Sequence, residues 1–331
     1  MNVRTAFFFL LAGAALPTGA LSQDPSTSSG QAFPTKPVRI VSPYPSGLTP
    51  DIAARAIADR LSKTWGRPVI VEPRPGANGF LAIGAVKKAA PDGHELLLAG
   101  QAHLAINPKL FSKVPYDPET DFVPLSLIYR TPFFIAVSTA GTYKTIPELI
   151  AAAKASQRKL SYSSPYVGSP PHLGGALFAY LTGTQMVHVP FKDGAQIYIS
   201  VANGDVDWAL GSIGSTLPLT KAGKIRLLAI AAKSRDPEHP EIPTVAEAGG
   251  PAGYEVDTWV SLVAPQGTPP EIARRISADI ATALGDAEVK ERFKGIGVDP
   301  VSNTPAQLAD LIKRDLAAYA DIVKRTGVTA E

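Results

Sequence analysis

Short apolar segments alternate with amphipathic helical segments along this chain, and this alternation constrains the fold more than any other feature. Apolar runs at Val38–Ser42, 69–72 and 95–99 are typical of buried strands, and residues 50–64 place their apolar side chains on one helical face. Strands that alternate with helices predict an α/β fold with a mostly parallel sheet covered by helices. The length of 331 residues accommodates about two such domains.

The first 22 residues are typical of a secretory signal peptide. One positive charge, at Arg4, precedes a short apolar core at residues 7–16, and the small residues Ala20 and Ser22 suit signal peptidase cleavage after Ser22. A membrane anchor is the alternative, but a spanning helix needs about 20 apolar residues, so this core is too short. We therefore expect an exported, periplasmic protein in which residues 23–32 form a flexible leader.

Two extended apolar segments, residues 133–138 and 258–265, are candidates for strands that cross between two lobes. On this interpretation residues 33–138 and 258–331 form lobe 1, and residues 139–257 form lobe 2. A hinge of two strands suits closure about a central cleft. Two consecutive domains are the alternative organisation.

Composition excludes several functional classes. Lys plus Arg number 32 and Asp plus Glu number 29, a balance that gives no basic surface for nucleic acid. The absence of cysteine excludes disulfides, thiol nucleophiles and cysteine-based metal sites. No histidine pair has metal-ligand spacing, and no nucleotide-binding glycine motif or G-x-S-x-G motif occurs. We therefore expect no metal, no cofactor and no catalytic residues.

The two loops at residues 43–49 and 164–170 are the strongest candidates for a binding site. Both follow predicted strands and lead directly into helices, and ligands of open α/β sheets bind outside the carboxyl ends of the strands. Such loops present N–H groups at the positive end of a helix, and neither contains Lys or Arg. Four to six hydrogen bonds to a carboxylate, at about 1.5–3 kcal/mol each, are enough for micromolar binding.

A series of short motifs resembles the Bug-type receptors, the TctC-like extracytoplasmic solute receptors of tripartite tricarboxylate transporters. The resemblance extends over residues 33–328. The motifs that carry it are PVRIV (37–41), PYPSG (43–47) with Asp51, VEPRPGANG (71–79), AAPDG (89–93), AINP (105–108), VGSPPHL (167–173), HVPFK (188–192) and PTVAEAG (243–249).

The resemblance implies a two-lobe periplasmic-binding-protein (Venus flytrap) fold that closes on a small carboxylate: a dicarboxylate, a tricarboxylate, an acidic amino acid or an aromatic acid. It also implies a large and a small membrane transporter subunit as partners of a monomeric receptor. By motif position, the residues expected to line the cleft are Tyr44, Ser46, Gly47, Leu48, Thr49, Asp51, Asn78, Gln101, His103, Ser164, Pro165, Tyr166, Val167, Gly168, Ser169, Phe191, Lys192, Asp193 and Ser212.

Both loops depart from the common family pattern. Leu48 makes the first loop bulkier and more apolar, and Pro50 removes one backbone donor. In the second loop, Tyr166 adds an aromatic ring that we expect beside Tyr44 and Phe191. These rings suggest a flat or ring-bearing acid held by offset stacking, unless they are simply buried within a lobe.

Two other functions remain open at the level of sequence. A hydrolase or isomerase that uses Asp51 or His172 in the same cleft is one, with Asp51 and Asp193 as a possible acid–base pair. Positions in a first helical turn and in a Lys-Asp-Gly turn favour structural roles for these two carboxylates. A ligand sensor for a signalling partner is the second alternative.

Overall fold

A computed structural model describes Met1 and residues 33–155, 158–191 and 194–330. The predicted signal peptide and leader, and the predicted site residues Lys192 and Asp193, lie outside the described residues. Residues 33–331 form one compact unit, and the described part of it contains two β-sheets.

The strands are short, as the apolar runs predict. In chain order they are β1 (Val38–Ser42), β2 (Val69–Pro73), β3 (Glu95–Gly100), β4 (Phe122–Pro132), β5 (Phe134–Ser138), β6 (Leu160–Ser164), β7 (Met186–Pro190), β8 (Trp208–Gly211), β9 (Ile225–Ile230), β10 (Asp257–Pro265) and β11 (Asp299–Pro300).

Helices separate most of these strands. They are α1 (Thr49–Trp65), α2 (Phe80–Lys87), α3 (Asn107–Leu110), α4 (Ile146–Ala155), α5 (Pro170–Thr182), α6 (Gly194–Asn203), α7 (Ile213–Lys221), α8 (Pro270–Gly285), α9 (Ala287–Gly295) and α10 (Pro305–Thr326). A short 3₁₀-helix at Ala77–Gly79 precedes α2, and a π-helical turn at Ala102–Ile106 precedes α3.

The first sheet has the strand order β11-β4-β10-β3-β1-β2. Strands β1, β2 and β3 are parallel, while β10 lies antiparallel between β3 and β4. Helices cover both faces, so β3 is apolar on both sides: Leu96 and Leu98 pack with α1 and α8, and Leu97 and Ala99 pack with α2 and α10. A continuous apolar run is what burial on both faces requires.

The second sheet has the strand order β7-β6-β8-β5-β9 and repeats this plan. Strands β6, β7 and β8 are parallel, and β5 is antiparallel to both of its neighbours. Ile135 and Val137 face the helices α4 and α5, whereas Ala136 faces α6. The predicted α/β architecture with two helix-covered sheets is therefore confirmed.

The chain passes between the sheets at two adjacent points. Phe133 joins β4 of the first sheet to β5 of the second, and the chain returns at Val256, just before β10. The N–H of Phe133 donates to the carbonyl of Val256 over 3.0 Å, and the N–H of Val256 donates to that of Ala231 over 2.9 Å. Residues 134–138, which the sequence analysis placed in lobe 1, thus pair within the second sheet.

Candidate ligand-binding site

The two loops singled out in the sequence lie where two parallel strands end and helices begin. In the first sheet, β1 leads through residues 43–48 into α1; in the second sheet, β6 leads through residues 165–169 into α5. Each helix therefore directs its N-terminus, with its partial positive charge, toward its own loop. The two loops come from different sheets, so a ligand that bridges them contacts both halves of the molecule. Each half is one sheet together with the helices that cover it.

The first loop keeps two backbone donors free. Helix α1 starts at Thr49, one residue before the predicted range of 50–64, so Leu48 occupies the N-cap position without a side-chain cap. Among the described residues, none accepts a hydrogen bond from the N–H of Ser46 or Thr49. The side chain of Leu48 is 45% exposed beside them. These two N–H groups can bind an anion at the end of the 17-residue helix.

Asp51 holds the first loop in shape. Its carboxylate is 2% exposed and accepts hydrogen bonds from the Gly47 N–H over 2.9 Å and from Arg55 Nε and Nη2 over 3.0 and 3.1 Å. Hydrogen bonding to Asp51 raises the pKa of the Arg55 guanidinium above its usual value. Gly47 and Asp51, both expected in the site, thus bind each other, and the carboxylate of Asp51 is engaged by Gly47 of the loop and by Arg55 of helix α1.

The second loop uses most of its polar groups internally. Ser169 caps α5 by accepting from the N–H of His172, and its own hydroxyl donates to Ser164 Oγ over 3.0 Å. The N–H of Gly168 donates to His172 Nδ1 over 3.1 Å. Because α5 begins with two prolines, its first turn offers few N–H groups. Among the described residues, no acceptor meets the N–H of Tyr166 or Val167, so this loop also keeps two donors.

Two stacked histidines, His172 and His188, contact residues of the second loop and of the end of β6. The rings of His172 and His188 lie 3.8 Å apart between centroids, and His188 Nε2 is 2.7 Å from Ser164 Oγ. Burial lowers the pKa of His172 to about 3, with a further contribution from His188, and burial lowers that of His188 to about 4. Both rings are therefore neutral at physiological pH and give the loop no positive charge.

Tyr44, in the first loop, packs against His103 of the π-helical turn. Their rings meet edge to face with 5.2 Å between centroids, and the Tyr44 hydroxyl lies 3.5 Å from His103 Nδ1. That nitrogen also accepts from the Gly100 N–H over 3.3 Å, so the proton of the neutral ring is on Nε2. Burial lowers the pKa of His103 to about 4. A Cβ on Gly79 would lie 2.6 Å from His103 Nε2, so only glycine fits there.

Asn78 lies on the exposed turn before α2, in the left-handed region with φ of 52°. Its carbonyl accepts from Asn107 Nδ2 over 3.0 Å, and this bond ties the turn to α3. Asparagine is among the few residues that adopt this conformation at low cost. The structure therefore gives Asn78 a role in shaping the turn that borders the first loop.

Gln101 lies at the end of β3, beside the crossing between the sheets. Its Nε2 donates to Asp315 over 2.9 Å and to Asp257 over 3.3 Å, and Arg130 pairs with Asp257 from the other side. Burial raises the pKa of Asp257, although the nearby Arg130 opposes this effect. Gln101 Oε1 is fully enclosed and has no partner among the described residues. The Gln101 donors are therefore occupied by the two carboxylates.

The remaining predicted site residues of the second sheet are half-buried. The N–H of Phe191 donates to the carbonyl of Ser164 over 2.9 Å, and its ring packs with the apolar residues around α6. Ser212 caps α7 by accepting from the N–H of Ser215. Pro165 lies in the second loop before Tyr166. Phe191 and Tyr44 are thus packed within separate halves, while Tyr166 is 38% exposed in the gap.

Tyr129, on β4, is a residue that the sequence analysis did not single out. The Tyr166 phenol lies close enough to add to the effect of burial in raising the pKa of both Tyr44 and Tyr129. The second loop reaches the first-sheet half at Gly168, where a Cβ would lie 2.7 Å from Leu110 Cδ2. The sequence analysis predicted no strand or helix for residues 100–132, which is why Tyr129 was missed.

Two surface crevices border this region. One of about 600 Å³ runs between α5, β7 and the end of α10, with Val167 and His172 in its wall. The other, of about 380 Å³, lies beside the crossing at Thr131–Phe134 and the turn that contains Gly297.

In the described part of the chain, no three His, Asp or Glu side chains are grouped to bind a metal ion. Its helices include none with an apolar stretch long enough to cross a bilayer.

Comparison with known proteins matches residues 53–328 to the receptor of the tripartite tricarboxylate transporter family. Rpa4515 of R. palustris, solved with adipate, is 32% identical, with a TM-score of 0.81 over 90% of this chain and 99% of that one. MatC from Rhodopseudomonas palustris, solved with malate, is 30% identical, with a TM-score of 0.78 over 88% and 100%. The periplasmic binding protein BugD is 28% identical, with a TM-score of 0.78 over 90% and 100%.

Proposed function

The chain belongs to the tripartite tricarboxylate transporter receptor family, whose members are periplasmic solute-binding receptors, and on that premise we propose what it binds and how. The ligand is a small carboxylate, with a dicarboxylate or an aromatic acid as the favoured types. It is captured between the loops at residues 43–49 and 165–169 and is delivered unchanged to the large and small membrane subunits of a tripartite tricarboxylate-type transporter.

One observation carries this proposal: two helix N-termini from different sheets present free N–H groups at neighbouring loops. The donors are those of Ser46 and Thr49 on one side and of Tyr166 and Val167 on the other. Amide donors at a helix N-terminus suit a carboxylate without a cationic partner. The adipate and malate in two similar proteins support a carboxylate ligand.

Domain closure supplies the mechanism. A ligand held by the first loop alone binds the open and closed forms equally well, whereas contacts with Tyr166 and Val167 exist only when the halves are together. A ligand shifts such an equilibrium by its difference in affinity for the two forms. Capture therefore depends on both loops, and the closed form is the one that a transporter subunit recognises.

The enzymatic alternative has little support in the described residues. Asp51 is 2% exposed and accepts three hydrogen bonds from Gly47 and Arg55, so a ligand has little access to its oxygens. His172 Nδ1 accepts from the Gly168 N–H, and its ring is stacked on His188. Neither residue is placed as a general base. A sensing role differs from transport in the partner of the closed form, and we favour transport because of the family.

Native mass spectrometry of protein purified without refolding tests the proposal, followed by thermal-shift assays with adipate, malate, citrate and benzoate. We expect a retained or added carboxylate, recovered unchanged after incubation, to raise the melting temperature. Chemical conversion of the acid would favour an enzyme. If benzoate stabilises the protein and the aliphatic acids do not, the ligand is an aromatic acid; the reverse result excludes a wall of stacked rings. No stabilisation by any carboxylate would refute the proposal.

A further inference from the structure

The smaller crevice, of about 380 Å³, has one wall from each half of the molecule. The first half contributes α9 and the turn that leads into β11, and the second half contributes the start of α7 and the segment at residues 236–239, which follows β9. At one rim the two backbones meet, because a Cβ on Gly214 would lie 2.8 Å from Gly297 Cα. Away from this rim the walls are apart, since such a volume holds about ten water molecules.

The crevice and the two binding loops lie on opposite sides of the crossing. In the first sheet, β4 and β10 lie at the crossing, with β1 on one side of them and β11 on the other. In the second sheet, β5 lies at the crossing, with β6 on one side and β9 on the other. The loops follow β1 and β6, whereas the crevice walls adjoin β11 and β9. A rotation about the crossing that brings the loops together therefore moves the crevice walls apart.

The two walls of the crevice carry opposite charges. Lys290 and Lys294 line it from the first half and lie four residues apart on α9, so they share one face of that helix. Asp236 and Glu238 line it from the second half. Asp299 also lines the first wall and offsets part of its positive charge. Within the described residues, neither these lysines nor these three carboxylates take part in an ion pair.

Both charged segments are fixed to their own halves. Phe293, next to Lys294 on α9, is completely buried in the core of the first half. In the second half, Asp236 Oδ1 accepts from the N–H of Glu238 over 2.9 Å, and the Asp236 carbonyl accepts from the N–H of His239 over 3.1 Å. These bonds hold the acidic turn in shape. The distance between the charges therefore changes when the halves rotate.

We propose that Lys290 and Lys294 of α9 form an electrostatic latch with Asp236 and Glu238, and that this latch favours the open form of the receptor. Opposite charges that face each other across a narrow crevice attract within the Debye length, about 8 Å at physiological ionic strength. This attraction draws the crevice walls together and so keeps the binding loops apart. The inference rests on the proposed function: a ligand that closes the loops must also separate the latch, so the latch lowers ligand affinity.

Reversing the charge of each wall tests the latch. Lys290→Glu with Lys294→Glu reverses the first wall. Asp236→Asn with Glu238→Lys reverses the second and keeps a side-chain acceptor at position 236. We expect each reversed pair to bind adipate about 3- to 10-fold more tightly in isothermal titration, because the walls no longer attract. Small-angle scattering of the ligand-free protein should show a smaller radius of gyration for each pair. The variant with all four changes restores attraction and should return both values to those of the wild type.

A matched control separates the latch from the net charge of the protein. Lys88→Glu with Lys313→Glu makes the same change of charge at two exposed positions of the first half outside the crevice, and should retain wild-type affinity. Salt provides a second control. The difference in affinity between the wild type and either reversed pair should shrink toward zero at 1 M salt, where the Debye length is about 3 Å.

The outcomes separate this inference from the proposed function. Wild-type affinity and a wild-type radius of gyration in both reversed pairs would refute the latch, while the carboxylate receptor stands. Failure of the fourfold variant to return to wild-type behaviour would also refute it. If the wild type binds neither adipate nor any other carboxylate, the proposed function fails, and the scattering of the ligand-free variants still decides whether the charges hold the halves apart. Thermal unfolding of each variant confirms that it is folded.

Discussion

At the scale of single residues, several polar side chains near the loops shape the site and leave the binding to the backbone. Asp51 fixes the first loop through Gly47, and Ser169 fixes the second through His172 and Ser164. Residue type and position predicted that these side chains lie at the loops. Whether such a side chain binds a ligand or another residue of the protein depends on neighbours such as Arg55. The sequence analysis gave no indication of that pairing.

Asp51→Asn tests this division of roles. The change breaks the ion pair with Arg55 and weakens the bond to the Gly47 N–H, so we expect a loss of about 1–3 kcal/mol in the free energy of unfolding. Ligand affinity also falls because the first loop loses its restraint. Denaturant unfolding and titration measure the two effects. Asp59→Asn on the same helix, where the pair with Arg292 is exposed, is the control and costs at most about 1 kcal/mol.

His172 makes stability depend on pH. Burial, assisted by His188, lowers its folded-state pKa to about 3, whereas an unfolded histidine titrates near its ordinary value of about 6.5. The unfolded state therefore binds more protons between these values, so stability is fully present above about pH 6.5 and is lost as the pH falls toward 3.

We expect His172→Gln to reduce the slope of unfolding free energy against pH by up to about 1.4 kcal/mol per pH unit between pH 4.5 and 6. Urea unfolding at several pH values measures this slope. His239→Gln, which removes an imidazole from an irregular segment outside the sheets, is the matched comparison. An unchanged slope in the His172 variant would show that this ring is not held neutral by the fold.

At the scale of elements, strand positions were predicted well, because a strand that is buried on both faces of its sheet requires a continuous run of apolar residues. The starts of helices needed the structure. Thr304 and Gln307 form a reciprocal cap at the start of α10, whereas Pro269 takes the N-cap position of α8 and the Thr268 hydroxyl donates to the carbonyl of Pro265. Helix α7 was missed because it contains Pro218, and only tertiary packing and the cap at Ser212 keep it helical.

Two helical glycines give opposite predictions at this scale. A Cβ on Gly84 of α2 meets nothing within 4 Å, so Gly84→Ala should stabilise the protein by about 0.5–1 kcal/mol. A Cβ on Gly175 of α5 would lie within 2.9 Å of the Tyr162 ring, so Gly175→Ala should destabilise it by about 1–3 kcal/mol. Chemical denaturation of the two variants provides the comparison, and equal effects would contradict the packing of α5 on β6.

At the scale of the whole molecule, the two halves are in contact at Gly214 and Gly297. This contact lies beside the smaller of the two crevices, near the residues where the chain crosses between the sheets. A Cβ on Gly214, in the first turn of α7, would lie 2.6 Å from the Ile296 carbonyl oxygen and 2.8 Å from Gly297 Cα. These are backbone atoms that cannot rotate away. The contact joins a helix of the second sheet to the turn between α9 and β11 of the first, so the proposed closure would have to keep these two backbones in contact.

Gly214→Ala should therefore hinder closure. An overpacked contact costs about 1–3 kcal/mol, which corresponds to a loss of about 5- to 150-fold in ligand affinity. Gly285→Ala at the end of α8, where a Cβ meets nothing within 4 Å, is the matched control. Titration of both variants with the ligand identified by mass spectrometry gives the comparison. Wild-type affinity in the Gly214 variant would show that closure does not bring these backbones together.

The α/β class and the two strand-to-helix loops followed from apolar runs and turn residues, which are local signals. The approach of the second loop to Leu110 at Gly168 did not follow, because it depends on how the two sheets are joined at Phe133 and Val256. The sequence analysis also predicted no strand or helix around Tyr129. Contacts between the halves are therefore the part of the site that needed the structure.

A crystal structure of the protein in complex with a diacid such as adipate tests the central claim most directly. The account predicts one carboxylate between the N–H groups of Ser46 and Thr49 and those of Tyr166 and Val167, with both sheets in contact with the ligand. A diacid bound in the crevice beside α5 and β7, or held by only one of the two loops, would contradict it.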